Sequence, residues 1–222
     1  LDVKKTPKGY YVHTCVLESG IVKVGDHLNA QVDKEYRMSV CRNHTATHLL
    51  QAALREVLGD HVHQAGSYQD ASITHFDFTH FSAVTPEELV RVQKIVNDKI
   101  FESMNVTVKE MPIEEAKKLG AMALFGEKYG DKVRMVRFGS SVELCGGTHT
   151  SATGNIGFFK ILNESAISAG VRRIEAVTGE RAEQIIYAAE DTMRDISDYL
   201  HNPQVLQAVK KMFESNETLS KE

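Results

Sequence analysis

The sequence contains no tryptophan, only four prolines and only three cysteines among its 222 residues. Three cysteines cannot form the disulfide framework of a secreted protein of this length, so that class is excluded. No apolar run approaches the roughly 18 residues needed to cross a bilayer, and the first residues, LDVKKTPKGY, lack the apolar core of a secretory signal. We therefore expect a cytoplasmic protein that makes no membrane contact.

The charge balance restricts how the protein can contact nucleic acid. Lys and Arg total 26 against 30 Asp and Glu, which gives a net charge of −4 with neutral histidine. A uniformly basic surface is thus excluded, and any RNA contact must be a local basic patch. Hydrophobic residues make up 42% of the chain and charged residues 25%, a composition typical of a folded protein with one large or two small domains.

Three regions of the chain differ in pattern, and together they predict an α+β fold. Residues 1–38 contain short β-rich runs separated by turn-forming residues, which predicts a small β-meander or partial barrel. Residues 39–179 alternate helical and strand patterns, which predicts a mixed α/β core with two amphipathic helices, one from Ser39 to Gly59 and one beginning at Pro86. Residues 180–222 are mainly helical in pattern and predict a helical arm.

Four side chains form a candidate metal site. His44 and His48 are four residues apart on the first predicted helix, so both imidazoles point to one side. Thr45 follows the first histidine where a zinc protease would need its glutamate base, so that class is excluded. Cys145 and His149 flank Gly-Gly-Thr at the end of a predicted strand and add a thiolate and a third imidazole. Such a nitrogen and sulfur set favours one Zn²⁺ ion.

A closed structural zinc clip is the alternative to a catalytic site, because four protein ligands are typical of structural zinc. Both interpretations are compatible with the spacing alone. The other two cysteines, Cys15 and Cys41, are expected to be buried free thiols without a chemical role.

Five segments carry a family resemblance: CRNHTATHLLQAALREVLG, HVHQAGSYQD, GAMALFGEKYGD, ELCGGTHTSATG and GVRRIEAVTG. In this order they resemble the editing domain of alanyl-tRNA synthetase, over residues 9–179. The threonyl-tRNA synthetase editing domain and the free-standing alanyl-tRNA editing proteins share the His and Cys pairs, but the third and fourth segments are similar to the alanyl enzyme. The helical region from residue 180 resembles the start of that synthetase's C-terminal oligomerising and tRNA-binding region. We interpret the chain as an internal fragment that lacks the ATP-dependent aminoacylation domain.

The resemblance implies hydrolysis of tRNA(Ala) that carries serine or glycine in place of alanine. Glycine is smaller than alanine and serine adds only a hydroxyl, so one apolar pocket cannot reject both, and a second, hydrolytic site is needed. The expected partner is the acceptor end of tRNA(Ala), and the expected assembly is a homodimer through the C-terminal helical region of the full-length protein. The expected enzyme class is an aminoacyl-tRNA hydrolase within a ligase.

The resemblance also implies roles for individual residues. It places the zinc ligands on His44, His48, Cys145 and His149. It places the catalytic pocket on Thr47, Gln64 and Ser67, whose neutral polar groups would hold a serine hydroxyl and the attacking water.

Candidate tRNA-binding residues are Arg172, Arg173 and Lys128, because guanidinium and ammonium groups suit phosphate. Adjacent residues of a strand face opposite sides, so only one of the two arginines is expected to face the site and the other to form an ion pair. No glutamate stands beside the helix ligands in sequence to act as general base. Besides the editing enzyme, a zinc-stapled tRNA-binding or oligomerisation module and a stand-alone editing factor acting in trans remain open.

Overall fold

The computed structural model describes residues 2–121, 130–139 and 141–219. The chain forms two compact units, Leu1–Val32 and Asp33–Glu222. The first unit contains one antiparallel hairpin of strands β1 (Asp2–Lys5) and β2 (Tyr11–Thr14). Among its described residues no strand follows β2, so this region is smaller than the predicted meander or partial barrel. The β-rich runs that follow β2 have no neighbouring strand among the described residues of this unit. They do not form strands because an isolated strand would leave its backbone N–H and C=O groups without hydrogen-bond partners.

The second unit alternates helices and strands, which confirms the α+β class. Its elements are α1 (Lys34–Leu58), β3 (Gln64–Gln69), β4 (Thr74–Thr79), α2 (Pro86–Phe101), β5 (Val106–Pro112), α3 (Ile113–Lys118), β6 (Lys132–Phe138), β7 (Ser141–Leu144), a 3-10 helix (Thr153–Ile156), β8 (Phe159–Ser168), β9 (Val171–Thr178), α4 (Gly179–Tyr199) and α5 (Val205–Leu219).

Two antiparallel sheets organise the described part of this unit. The larger has the strand order β3-β4-β9-β8 and the smaller the order β5-β6-β7. Alternate residues of the central strand β4, namely Thr74, Phe76 and Phe78, are buried. The two phenylalanines belong to one core cluster with buried residues of α1 and α2, among them Leu50 and Val96. The two helices therefore pack on one face of the larger sheet.

Both core helices begin and end at residues with a clear physical role. Asp33 caps α1 by accepting the Tyr36 backbone N–H at 2.9 Å, so the helix begins earlier than the predicted start at Ser39. It ends at Gly59, whose φ of 113° is one that only glycine adopts readily. In α2, Thr85 and Glu88 form a capping box ahead of the buried apolar face.

The smaller sheet has a core of its own, in which Met111, Ala116, Val133, Met135, Val142 and Leu144 are buried together. Helices α4 and α5 form the predicted helical arm, and in α4 only Gly179 and Ala182 are buried. Cys41 is buried as expected, whereas Cys15 is exposed, so that expectation was wrong. None of the helices in the described part of the chain has the length and apolarity that crossing a membrane requires.

Candidate metal centre

The four predicted ligand side chains meet at one place. His44 and His48 lie on α1, and Cys145 and His149 lie in the loop after β7. One donor atom from each lies within 4.8 Å of the others. His44 Nε2 lies 3.4 Å from Cys145 Sγ, and His48 Nε2 lies 3.1 Å from His149 Nε2. The cluster could therefore hold a metal ion.

Close approach of the loop to the helix explains one of the two glycines after the cysteine. A Cβ atom at Gly147 would lie 1.7 Å from Cε1 and 2.2 Å from Nδ1 of His44, whereas a Cβ at Gly146 would meet nothing within 4 Å. Only glycine fits at position 147 while the His44 ring keeps its position. The space that the missing side chain leaves at position 147 is therefore occupied by the ring of a candidate ligand, His44.

A pair of threonines ties the loop to α1. The backbone N–H of Thr150 donates to Thr45 Oγ1 at 3.0 Å, and the Thr45 hydroxyl donates in turn to the Cys41 carbonyl at 2.7 Å. Both threonines are buried. Since each directly follows a candidate ligand, His44 or His149, this contact fixes the distance between the two halves of the cluster.

Arg134 of β6 holds the same loop from another side. Its Nη1 group donates to the carbonyl oxygens of Cys145 and Gly147, both at 2.7 Å. The Arg134 guanidinium therefore holds the backbone of the ligand loop in place. Neither the Arg134 clamp nor the threonine pair was identified from the sequence, because both depend on which strand lies beside the loop.

A buried carboxylate completes the surroundings of His48. Glu143 Oε2 accepts a hydrogen bond from His48 Nδ1 at 2.5 Å, and Glu143 Oε1 accepts one from the Ser141 hydroxyl at 3.1 Å. Sequence reasoning missed Glu143. The local signal was an acidic residue between two apolar residues, Val142 and Leu144, near the end of a predicted strand.

Contacts among these groups set their protonation. Burial, the largest influence, raises the pKa of the Cys145 thiol, but hydrogen bonds to His149, His44 and His48 outweigh it and lower this pKa to about 3. Burial lowers the pKa of His48, but hydrogen bonds to Cys145 and Glu143 outweigh it and raise this pKa to about 9. Burial also lowers the pKa of His149. Cys145 is thus a thiolate at neutral pH, the form in which cysteine binds metals.

The three predicted pocket residues occupy different environments. Thr47 precedes His48 in α1, is 4% exposed and donates its hydroxyl proton to the Asn43 carbonyl at 2.9 Å. Gln64 and Ser67 lie in β3, where Gln64 Nε2 donates to Ser67 Oγ at 3.2 Å. Their catalytic roles stay predictions.

Both predicted RNA-binding arginines form bidentate ion pairs across the larger sheet. Arg172 donates to Glu164 at 2.5 and 2.6 Å, and Arg173 donates to Asp77 at 2.6 and 2.8 Å. These hydrogen bonds raise the pKa of both guanidinium groups. An ion pair had been expected for only one of the two. The third candidate, Lys128, lies outside the described residues.

Comparison with known proteins gives consistent matches. Residues 133–175, which contain Cys145 and His149, match the family model described as the threonyl and alanyl tRNA synthetase second additional domain. The chain is 54% identical over 201 residues to the alanine-tRNA ligase of Acetivibrio thermocellus, covering 90% of this chain and 23% of that enzyme. It is 50% identical over 228 residues to the alanine-tRNA ligase of Bacillus velezensis, covering 98% and 26%. The Geobacillus kaustophilus alanine-tRNA ligase is 56% identical over 182 residues, covering 82% and 20%. The chain thus spans a fifth to about a quarter of the length of these curated relatives.

Proposed function

We propose that this chain, which belongs to the alanyl-tRNA synthetase family, is the part that hydrolyses tRNA(Ala) mischarged with serine or glycine. The bond to be broken is the ester between the amino acid and the terminal ribose, so the reaction is an acyl transfer to water. The observation that carries the proposal is the convergence of three imidazoles and one thiolate from α1 and the loop after β7. This cluster lies next to Thr47, a residue that the family resemblance assigns to the pocket.

The donor set fits one zinc ion. His44, His48, Cys145 and His149 would hold it, because borderline-soft imidazole and thiolate ligands suit Zn²⁺ better than they suit Mg²⁺ or Ca²⁺. When bound, zinc would supply a Lewis acid that polarises and orients the acyl group.

The polar pocket residues would position the substrate and the attacking water. The Thr47 hydroxyl proton is committed to the Asn43 carbonyl, so its oxygen lone pairs are left to accept a hydrogen bond from a serine hydroxyl. Gln64 and Ser67 add an amide and a hydroxyl from β3, and Gln64 would order the water. A site that hydrogen-bonds the serine hydroxyl penalises alanine, which has none.

The tRNA contacts belong to the same proposal. Each bidentate ion pair uses two of the five N–H donors of its arginine, so Arg172 and Arg173 retain donors for a phosphate. Lys128 would add a further cation. The acceptor end of tRNA(Ala) is the proposed ligand, α4 and α5 are the proposed dimer contact of the full-length protein, and the cytoplasm is its proposed location.

Deacylation of Ser-tRNA(Ala) with radiolabelled serine tests the assignment. We expect the protein to hydrolyse this ester, a zinc chelator to abolish the activity, and Cys145→Ala to lose both bound zinc and activity. Gln64→Ala should keep its zinc but lose at least tenfold in rate, because the residue acts on substrate and water. His201→Ala, which removes a histidine outside the cluster, serves as control.

A zinc-stapled module without hydrolytic activity is the second candidate, favoured by the presence of four protein side chains at the site. It predicts that Ser-tRNA(Ala) decays no faster with the zinc-loaded protein than in buffer. It also predicts that Gln64→Ala has no effect. A decay rate equal to that in buffer would set the hydrolase aside. An unchanged rate in Gln64→Ala, with an active wild type, would remove Gln64 from the catalytic pocket and leave the hydrolase in place.

A further inference from the structure

We propose that Glu143 is a positioning residue that fixes which nitrogen of His48 faces the metal cluster. The proposal rests on the proposed function, since it concerns the same centre. Neutral imidazole has one N–H group and one nitrogen lone pair, and only the lone pair can bind a metal. A group that holds the proton on one nitrogen therefore determines which nitrogen is available as a ligand.

The contacts of the His48 ring divide its two nitrogens between two tasks. Nδ1 donates to Glu143 Oε2 at 2.5 Å, and Nε2 lies 3.1 Å from Nε2 of His149 inside the cluster. The Phe138 ring stacks on the imidazole, with ring centroids 4.9 Å apart and planes inclined by 27°. The carboxylate and the aromatic ring together hold the imidazole in one orientation.

Glu143 is itself held in place. Its other oxygen accepts from the Ser141 hydroxyl at 3.1 Å, and its side chain is only 5% exposed. With one oxygen bonded to His48 and the other to Ser141, this buried carboxylate is not suited to collect a proton from a reacting water. Glu143 therefore acts through His48 and does not fill the role of the general base missing from the sequence.

Glu164 offers a matched control elsewhere in the unit. Its side chain is 6% exposed and pairs with Arg172 in the larger sheet. Glu143→Met and Glu164→Met each replace a buried carboxylate with an apolar side chain of similar length. A general effect of losing a buried charge would appear in both variants, whereas a positioning effect would appear only in the first.

Zinc affinity is measured by competition with a chelator of known affinity, and thermal unfolding by circular dichroism monitors the fold. We expect Glu143→Met to lower zinc affinity about 10- to 100-fold, the usual effect of removing a group that orients a metal ligand. Glu143→Gln, which keeps an acceptor for Nδ1–H, should recover part of this loss, and Glu164→Met should stay within about twofold of the wild type. Equal affinities in Glu143→Met and the wild type, or equal losses in both Met variants, would overturn the proposal.

A second measurement does not depend on zinc. Long-range ¹H–¹⁵N NMR of protein labelled at histidine, recorded at a pH high enough for the His48 ring to carry a single proton, identifies the protonated nitrogen, and we expect a strongly hydrogen-bonded Nδ1–H in the wild type. Its absence would refute the positioning role, even if the wild type bound no zinc and the metal centre itself had failed. If Glu143→Met does not fold, Ser141→Ala replaces it, with an expected loss of about threefold in affinity from a less firmly held carboxylate. No loss would count against the proposal.

Discussion

Replacing Gly147 by alanine tests the geometry of the centre with the smallest possible change, one methyl group. The added Cβ would lie 1.7 Å from Cε1 of the His44 ring, whereas ordinary van der Waals contacts begin at 3.4 Å. One of the two groups must therefore move by about 1.7 Å, or half a contact distance. Arg134 and Thr150 hold the loop in place, so we expect the His44 ring to move away from its position beside Cys145.

The magnitude follows from the loss of one of four ligands. Changing a group that merely orients a ligand costs about 10- to 100-fold in metal affinity, so displacing the ligand itself should cost at least about 100-fold. Gly147→Ala should thus bind zinc at least about 100-fold more weakly than the wild type and hydrolyse Ser-tRNA(Ala) correspondingly slowly at limiting zinc.

Gly146→Ala is the control, because a Cβ there meets nothing within 4 Å and the change in composition is identical. Zinc affinity is measured by chelator competition for both variants, and circular dichroism verifies that both are folded. If Gly147→Ala bound zinc as tightly as Gly146→Ala, the close contact between Gly147 and the His44 ring would not be present in the zinc-bound protein, and this reasoning would be refuted.

Three further predictions concern protons and buried contacts. Zinc must displace the proton of His48, whose pKa is about 9, so below pH 9 the affinity for zinc should rise about tenfold per pH unit. Near pH 7 about one proton should be released for each zinc ion bound, and calorimetry in two buffers of different ionisation enthalpy counts it. A count of zero would contradict a protonated His48 ring. Arg172→Met should lower the free energy of unfolding, measured in urea, by about 3 kcal/mol, because it leaves the buried Glu164 carboxylate unpaired. Unchanged stability would mean that this ion pair contributes little to the fold. Thr45→Val keeps the side-chain shape but removes the acceptor of the Thr150 N–H. The melting temperature should therefore fall by an amount equivalent to about 1–3 kcal/mol in the free energy of unfolding. An unchanged melting temperature would mean that this contact contributes little.

Much of the second unit could be predicted from local sequence. The start of α2 at Pro86, with acidic residues in its first turn, and the end of α1 at Gly59 both follow from backbone chemistry that a short segment contains in full. The β-rich runs before residue 33 illustrate the limit. Their composition favours strands, but a strand also needs a neighbour, and local sequence does not contain that information.

In the candidate site, too, some features follow from local sequence and others depend on residues that are distant in the chain. The spacing of His44 and His48, and of Cys145 and His149, places each pair locally, so the pairs could be found from the sequence. That the pairs meet, 101 residues apart, was inferred from donor chemistry and family resemblance and not from spacing. Glu143 could not be assigned in this way, because its role depends on the fact that β7 passes beside α1.

The contacts around the centre also bear on whether a metal would serve the fold or the chemistry. A structural zinc supplies the free energy that a small or poorly packed domain lacks. Here α1 packs into a large apolar core, the strands before the loop pack into a second one, and the threonine pair joins helix to loop directly. Three ligand positions are thus set by protein contacts: His44 by packing beside Gly147, Cys145 by the Arg134 clamp and His48 by Glu143. Because protein contacts already order these ligands, metal binding would cost little free energy for ordering them. Such preorganisation matters more for a catalytic centre than for a structural zinc site.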